Sequence, residues 1–264
     1  MLDNVTEASA VLDFLHYLPR SIKVIATTRD ATLLSRSMPR VRLGPFDEHE
    51  ACAYVRNRFL AVQRPLDDQA TESLVAEVGL IPQQLELAAS YLQANPQVTV
   101  MAYIGALRSL KHGTQGTPQQ VGVLLPEASI GLQSLPKEGQ LLMQLCAHLA
   151  PDFIALPLVY AIVGHKDVKR LTNVVESLEA LSLVRVVRPD LDTVGLQIHR
   201  QVQACCREFQ HWAPEVGPGG KAARLAVLAK ALRALMPEVR LVPDAEWAAA
   251  KLYAPHVAAV LDQM

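Results

Sequence analysis

The sequence has none of the short motifs that mark several common enzyme classes. No G-x-x-x-x-G-K-[S/T] phosphate loop occurs anywhere in its 264 residues. Its eight histidines form no H-E-x-x-H zinc pattern, and no G-x-S-x-G turn presents a nucleophilic serine. The motifs therefore indicate neither a zinc protease nor a serine hydrolase.

An excess of charge of either sign is also missing. The chain has 25 lysines and arginines against 26 aspartates and glutamates, which leaves a formal charge of −1. Such a balance argues against the capture of nucleic acid or membranes by bulk electrostatic attraction.

Cysteines are few, and no apolar run is long enough to span a bilayer. Cys52, Cys146, Cys205 and Cys206 have no metal-ligand spacing, so we expect reduced thiols. Met1 is followed by polar and acidic residues rather than by the basic and apolar stretches of a signal peptide. We therefore expect a cytoplasmic protein without a membrane span.

Residues 1–45 combine strand-like and helix-like patterns. Residues 1–5 and 23–27 have the apolar, β-rich composition of buried strands, and residues 41–43 form a third short extended piece. Apolar positions over residues 8–18 recur at helical spacing. Strands separated by a helix predict part of a parallel sheet, so we assign this segment to an α/β domain.

Residues 46–112 change to a helical period and predict a small helical bundle. Asp47 opens the first helix with acidic residues in its first turn, and Asp67 is placed to cap the second. Gly79 is placed to end the second helix and Pro82 to open the third.

A linker is predicted over residues 113–128, followed by a domain over residues 129–211. This domain has three helices, two strands at 184–187 and 195–198, and a final helix, an order typical of a winged helix. Residues 212–264 add a pair of helices that could begin a helical repeat array. The predicted fold class is an α/β fragment followed by a mainly α chain.

Four segments, in this order, resemble the NB-ARC group of STAND signalling ATPases, especially those with C-terminal tetratricopeptide-type repeats. Leu-Asp-Asn-Val at 2–5 resembles the end of the Walker B strand, and Ile-Ala-Thr-Thr-Arg at 25–29 resembles the sensor strand. Residues 79–85 resemble the GLPL motif with its proline shifted by one position. Leu-Gln-Ile-His-Arg at 196–200 resembles the Met-His-Asp motif of the winged helix. The resemblance covers residues 1–211 and implies a partial parallel sheet of a P-loop NTPase that lacks its phosphate-loop half.

The resemblance implies a magnesium and nucleotide site near the first strand. Asp3 would hold Mg²⁺ through water, since carboxylate oxygen suits a hard cation. Asn4 stands where the family often has the acid that polarises the attacking water. Because an amide accepts no proton at neutral pH, we expect slow or absent hydrolysis. The alternative is that Asp3 and Asn4 simply form a turn.

Arg29, Pro82 and His199 are the candidate nucleotide-binding residues. By the resemblance, Arg29 would meet the terminal phosphate, Pro82 the adenine or ribose, and His199 the β-phosphate of ADP. Arg200 follows His199 where the family has an acid. The alternatives are a surface ion pair for Arg29, a loop-to-helix junction for Pro82 and a hydrogen-bonded structural role for His199.

The resemblance predicts the regulatory module of a signalling switch controlled by ADP and ATP. Its partners would be proteins or further copies, bound through the C-terminal helices and an exposed sheet edge. Without a phosphate loop, we expect the chain alone to bind nucleotide weakly and not to hydrolyse it.

Two alternatives stay open, a winged-helix DNA-binding regulator and a helical interaction scaffold that does not depend on nucleotide. Residues 165–188 carry five basic and three acidic side chains. This excess is small for phosphate binding, so nucleic acid is not an expected partner.

Overall fold

The computed structural model of the chain divides into two compact units, residues 1–44 and residues 45–264. The described residues are 5, 7–19, 21–28, 30, 39–113, 125–164, 168–189, 193–209, 212, 217, 219–236 and 244–264, with only the backbone for residues 10, 112, 113 and 244–249.

Helix α1 (Ala8–His16) lies in the first unit. Its Val11 side chain is buried, as the apolar spacing over residues 8–18 predicts. The helix ends at His16, ahead of Pro19, whose ring and missing N–H prevent its continuation.

Two hydrogen bonds connect the first two predicted strands of this unit. The Val5 N–H donates to the Thr27 carbonyl at 2.8 Å, and the Thr28 hydroxyl donates to the Val5 carbonyl at 2.8 Å. The chain at Val5 therefore lies beside the chain at Thr27 and Thr28.

The parallel sheet predicted for residues 1–45 is not found among the described residues of this segment. They contain a single bridge residue, Ala26, and no longer strand. Val41 and Leu43 are 86% and 88% exposed. A strand of a parallel sheet needs apolar cover on both faces, and residues 41–43 lack that cover. The sheet that the structure does describe is antiparallel and lies in the second unit.

The second unit begins with a bundle of helices, as predicted. They are α2 (Glu48–Ala61), α3 (Asp68–Val78), α4 (Pro82–Ala94) and α5 (Val100–Gly113). Their apolar faces share one core, whose largest buried side chains are Phe59, Leu74, Leu85, Leu92, Tyr103, Ile104 and Leu107.

Local capping fixes where the first helices of the bundle begin and end. Asp47 accepts the Glu50 N–H at 2.7 Å, and the Glu50 carboxylate accepts the Asp47 N–H at 2.9 Å. Asp67 accepts the Ala70 N–H at 2.6 Å. Gly79 ends α3 with a φ of 101°, which side chains disfavour. These caps confirm the predicted boundaries.

The chain then alternates helices with short strands. The elements are α6 (Pro126–Ser134), α7 (Lys137–Cys146), β1 (Ile154–Ala155), α8 (Leu156–Val163), α9 (Val168–Ala180), β2 (Arg185–Val187), β3 (Gly195–Gln197) and α10 (Arg200–Glu208). Helix α6 was not predicted; it begins inside the segment predicted as a linker, where Pro126 is its first residue.

The three strands form an antiparallel sheet in the order β1-β3-β2. Leu196 of β3 pairs with Ile154 of β1 and with Val186 of β2. The two later strands were predicted, whereas β1 was not, since two residues between helices carry no periodic signal.

Helices α11 (Gly220–Leu235) and α12 (Asp244–Leu261) follow. Helix α11 packs against α7, α8 and α12. Leu225, Leu228, Tyr253 and Val260 are buried in the same apolar core as the helices of residues 126–209. The C-terminal helices are therefore an integral part of the second unit.

Over the described ranges, no helix combines the length and the apolar character needed to cross a membrane.

Candidate functional site

Three of the predicted site residues, Asp3, Asn4 and Arg29, lie outside the described residues. The magnesium position predicted at Asp3 and the phosphate contact predicted at Arg29 thus stay predictions. In the part of the chain that the structure describes, no group of three histidine, cysteine or acidic side chains is arranged to hold a metal ion.

The described neighbours of Arg29 are hydrogen-bonded to each other and to Val5. The Thr28 hydroxyl donates to the Val5 carbonyl, and the Asp30 N–H donates to Thr28 Oγ1 at 3.1 Å. The segments that resemble the Walker B strand and the sensor strand are therefore adjacent at Val5 and Thr28.

Pro82 is the first residue of α4, where its missing N–H leaves no hydrogen bond unmade. The loop before it is attached to the start of the bundle, because the Phe46 N–H donates to the Leu80 carbonyl at 2.9 Å. Ile81 is half exposed beside Pro82. The loop thus offers an apolar edge at a helix N-terminus.

His199 lies between β3 and α10, where it caps the helix. Its Nδ1 atom accepts the Gln201 N–H at 3.2 Å, so the proton of the neutral ring lies on Nε2. Partial burial, aided by the neighbouring Arg200, lowers the pKa of His199. The side chain therefore presents a neutral N–H donor at the end of the sheet.

Arg200, which stands in the position of the family's acid, lies 3.8 Å from the exposed Asp152. Between the loop before Pro82 and His199, the described residues show no direct hydrogen bond. Each of these two candidates is positioned by its own local contacts.

A polar cluster that the sequence analysis missed joins the bundle to the later helices. We call it the Glu86 cluster; it consists of Tyr54, Arg58, Glu86, Ser90 and Ser182. The Tyr54 hydroxyl donates to Glu86 Oε2, and the Ser182 hydroxyl donates to Glu86 Oε1 at 2.7 Å. Arg58 lies 3.0 Å from the same carboxylate.

Ser90 completes the Glu86 cluster. Its hydroxyl lies 2.8 Å from that of Ser182 and accepts from Arg58 Nη2 at 3.0 Å. Burial, and secondly the hydrogen bond to Glu86, raise the pKa of Tyr54, which keeps its hydroxyl protonated as a donor.

The Glu86 cluster connects α2 and α4 with the turn after α9. Ser182 forms this turn with a φ of 52°, a backbone conformation that side chains rarely adopt. One sequence signal pointed to the cluster: Glu86 is the only charged residue in the α4 sequence PQQLELAASYLQA.

One of the basic side chains of residues 165–188 makes an ion pair with another helix of the protein. Arg170 of α9 pairs with Glu138 of α7. The Glu179 carboxylate, on the same helix, accepts the Val186 N–H of β2 at 3.1 Å. These contacts leave α9 without a concentrated basic face over its described residues.

Comparison of the chain with protein-family models gave no match, and comparison with curated proteins found no matching protein.

Proposed function

We propose that this chain is the regulatory module of a nucleotide-dependent signalling switch of the NB-ARC and STAND type. The observation that carries the proposal is the position of His199, which stands between the last strand of a small sheet and the following helix. There it presents a neutral Nε2–H group.

The order of elements from α6 to α10 supports this proposal. It runs helix, helix, strand, helix, helix, strand, strand, helix, with the three strands in one antiparallel sheet. This order resembles that of a winged helix, with α6 before it and α10 after it, and His199 follows the last strand.

The proposal assigns a part of the nucleotide to each of the two described candidates. The Nε2–H group of His199 is a suitable donor to a phosphate oxygen, and the exposed edge at Ile81 and Pro82 suits an adenine or ribose face. By the family resemblance, Asp3 would hold the magnesium ion and Arg29 would contact the terminal phosphate.

The kind of contact found in the Glu86 cluster also supports the proposal. A switch needs two arrangements that differ by a few kcal/mol, so that a ligand can shift the balance between them. Polar contacts between α4 and the turn at Ser182 can exchange with water more easily than a close-packed apolar interface can.

Titration of the chain with Mg²⁺-ADP tests the nucleotide site. We expect dissociation constants weaker than about 10 μM, because the sequence provides no phosphate loop. His199→Asn should weaken binding about tenfold further, because asparagine keeps the helix cap but lacks the Nε2–H donor. His49→Asn, at an exposed position of α2, is the matched control.

Each outcome of this titration is informative. No response to ADP at millimolar concentration would favour the nucleotide-independent scaffold, and unchanged affinity in His199→Asn would remove His199 from the site. Submicromolar binding by the chain would contradict the weak affinity. A salt-dependent shift of labelled duplex DNA would instead favour the DNA-binding alternative.

A further inference from the structure

Two buried histidines join the C-terminal helices to the turn that follows α7. His148 lies in this turn, and His256 lies in α12 opposite Ala150. Their side chains are 3% and 1% exposed. We call the contacts of His148 and His256 with Ala150, Arg224 and Gln263 the histidine clasp.

The hydrogen bonds of His148 fix its protonation state. Gln263 Nε2 donates to the His148 carbonyl at 3.0 Å, so Gln263 Oε1 is the acceptor for His148 Nδ1, 2.7 Å away. His148 therefore carries its proton on Nδ1, and its Nε2 accepts from Arg224 Nε at 3.4 Å.

His256 is the opposite tautomer, and its proton is likewise fixed in position by a hydrogen bond. Its Nδ1 atom accepts the Ala150 N–H at 3.1 Å. A main-chain N–H can only donate, so this nitrogen must keep its lone pair. In both histidines, the nitrogen that would take up a second proton already faces a donor.

Charge acts on the two rings differently. Among the described residues, the charged side chains that act on His148 are cations: Arg224 and Lys221 from α11, and Arg207 from α10. On His256, no charged side chain among the described residues acts, and the backbone of Phe153 only partly offsets burial. Burial is the first cause in both cases, and the pKa of each histidine lies below the ordinary 6.5.

We propose that the histidine clasp is an acid-sensitive attachment of α11 and α12, closed when His148 and His256 are neutral and opened by their protonation. Protonation of His256 sets an N–H opposite the Ala150 N–H, and protonation of His148 sets one opposite Arg224 Nε. In each case a hydrogen bond is lost and two donors face each other. At His148 it also adds a fourth positive charge to three. This device does not depend on nucleotide binding.

The direction of the pH effect follows from the lowered pKa values. Because the attached state holds the histidines neutral, the attachment is fully present above about pH 6.5 and is lost as the pH falls through the folded-state pKa values. The effect of pH on stability has the opposite sign for Glu127 in α6, because burial raises the pKa of its carboxyl group. Loss of structure in acid thus cannot come from Glu127.

Hydrogen exchange of the full chain at pH 7.5 and 5.5, corrected for intrinsic rates, measures the attachment. We expect the protection of α12 to fall by up to about tenfold per histidine at pH 5.5, while α2 to α5 keep theirs. The double variant His148→Gln, His256→Asn should lose this pH dependence, because both amides stay neutral. His49→Gln, at an exposed position of α2, should retain it.

The proposal is overturned if acid reduces protection equally in α12 and in α2 to α5, or if the double variant keeps the acid response. Should the double variant fail to fold, NMR titration of the two histidine rings in the unaltered chain decides the question. Titration of both rings below pH 6.5 supports the clasp, and titration of either ring at or above 6.5 contradicts it.

Discussion

At the scale of single residues, Glu86 connects distant parts of the chain. Its carboxylate accepts from Tyr54, 32 residues away, and from Ser182, 96 residues away. The side chains of Arg58 and Glu86 are 35% and 31% exposed, so solvent screens their ion pair. The hydroxyl donors therefore contribute most of the stabilisation.

Replacing Glu86 by glutamine tests this assignment. The free energy of unfolding should fall by about 1–2 kcal/mol, because a neutral amide accepts weaker hydrogen bonds and offers one oxygen in place of two. Urea denaturation measures the change. Glu72→Gln, at an exposed site on α3, should change stability by less than about 0.5 kcal/mol, and an equal effect of both variants would refute the role of Glu86.

The candidate site could be predicted from sequence only where local motifs mark it. Gly79, Pro82 and His199 lie at the element ends predicted for them, because turns and caps depend on adjacent residues. The Glu86 cluster could not be predicted in the same way. Its members come from three elements, and no local pattern states which of them meet.

At the scale of elements, capping and proline set most helix boundaries, whereas the sheet depends on close backbone packing. Gly195 of β3 has no room for a side chain: an added Cβ would lie 2.5 Å from the Phe153 ring and 2.8 Å from the Ile154 carbonyl oxygen. Gly105, at an exposed position of α5, has no neighbour within 4 Å of an added Cβ.

Alanine at these two glycines should change stability in opposite directions. Gly195→Ala should destabilise the protein by about 2–4 kcal/mol, since the clash with main-chain oxygen forces β1 and β3 apart. Gly105→Ala should stabilise it by about 0.5–1 kcal/mol, because alanine favours the helix. Thermal unfolding of both variants checks the signs; a mild effect at Gly195 would mean that β1 is not held against β3.

At the scale of the whole molecule, the two units differ in how well their apolar side chains are covered. In residues 1–44, Ile25, Val41 and Leu43 are more than half exposed. In residues 45–264, two apolar clusters cover the helices and the sheet. We infer that the first unit opens locally at a lower free-energy cost than the second.

Hydrogen exchange at neutral pH checks this difference. Amides in the described parts of residues 5–28 and 39–44 should exchange faster than those of α4 and α7, because few buried contacts oppose local opening. Uniformly slow exchange across residues 1–44 in the monomer would contradict the prediction. Slow exchange that appears only at high protein concentration would indicate that another copy covers this unit.

Spacing, caps, glycine and proline act within a few residues, so the sequence alone indicated the helices of residues 46–264 other than α6, and many of their ends. That Glu86 meets Ser182, and that His148 meets Gln263, 115 residues away, follows from tertiary packing and from no local pattern. Tertiary packing likewise decided that Ile154 and Ala155 form a strand and that residues 41–43 do not. The physical reason is that a hydrogen bond or a strand pair requires a partner, and the position of that partner is set by the packing of the whole core.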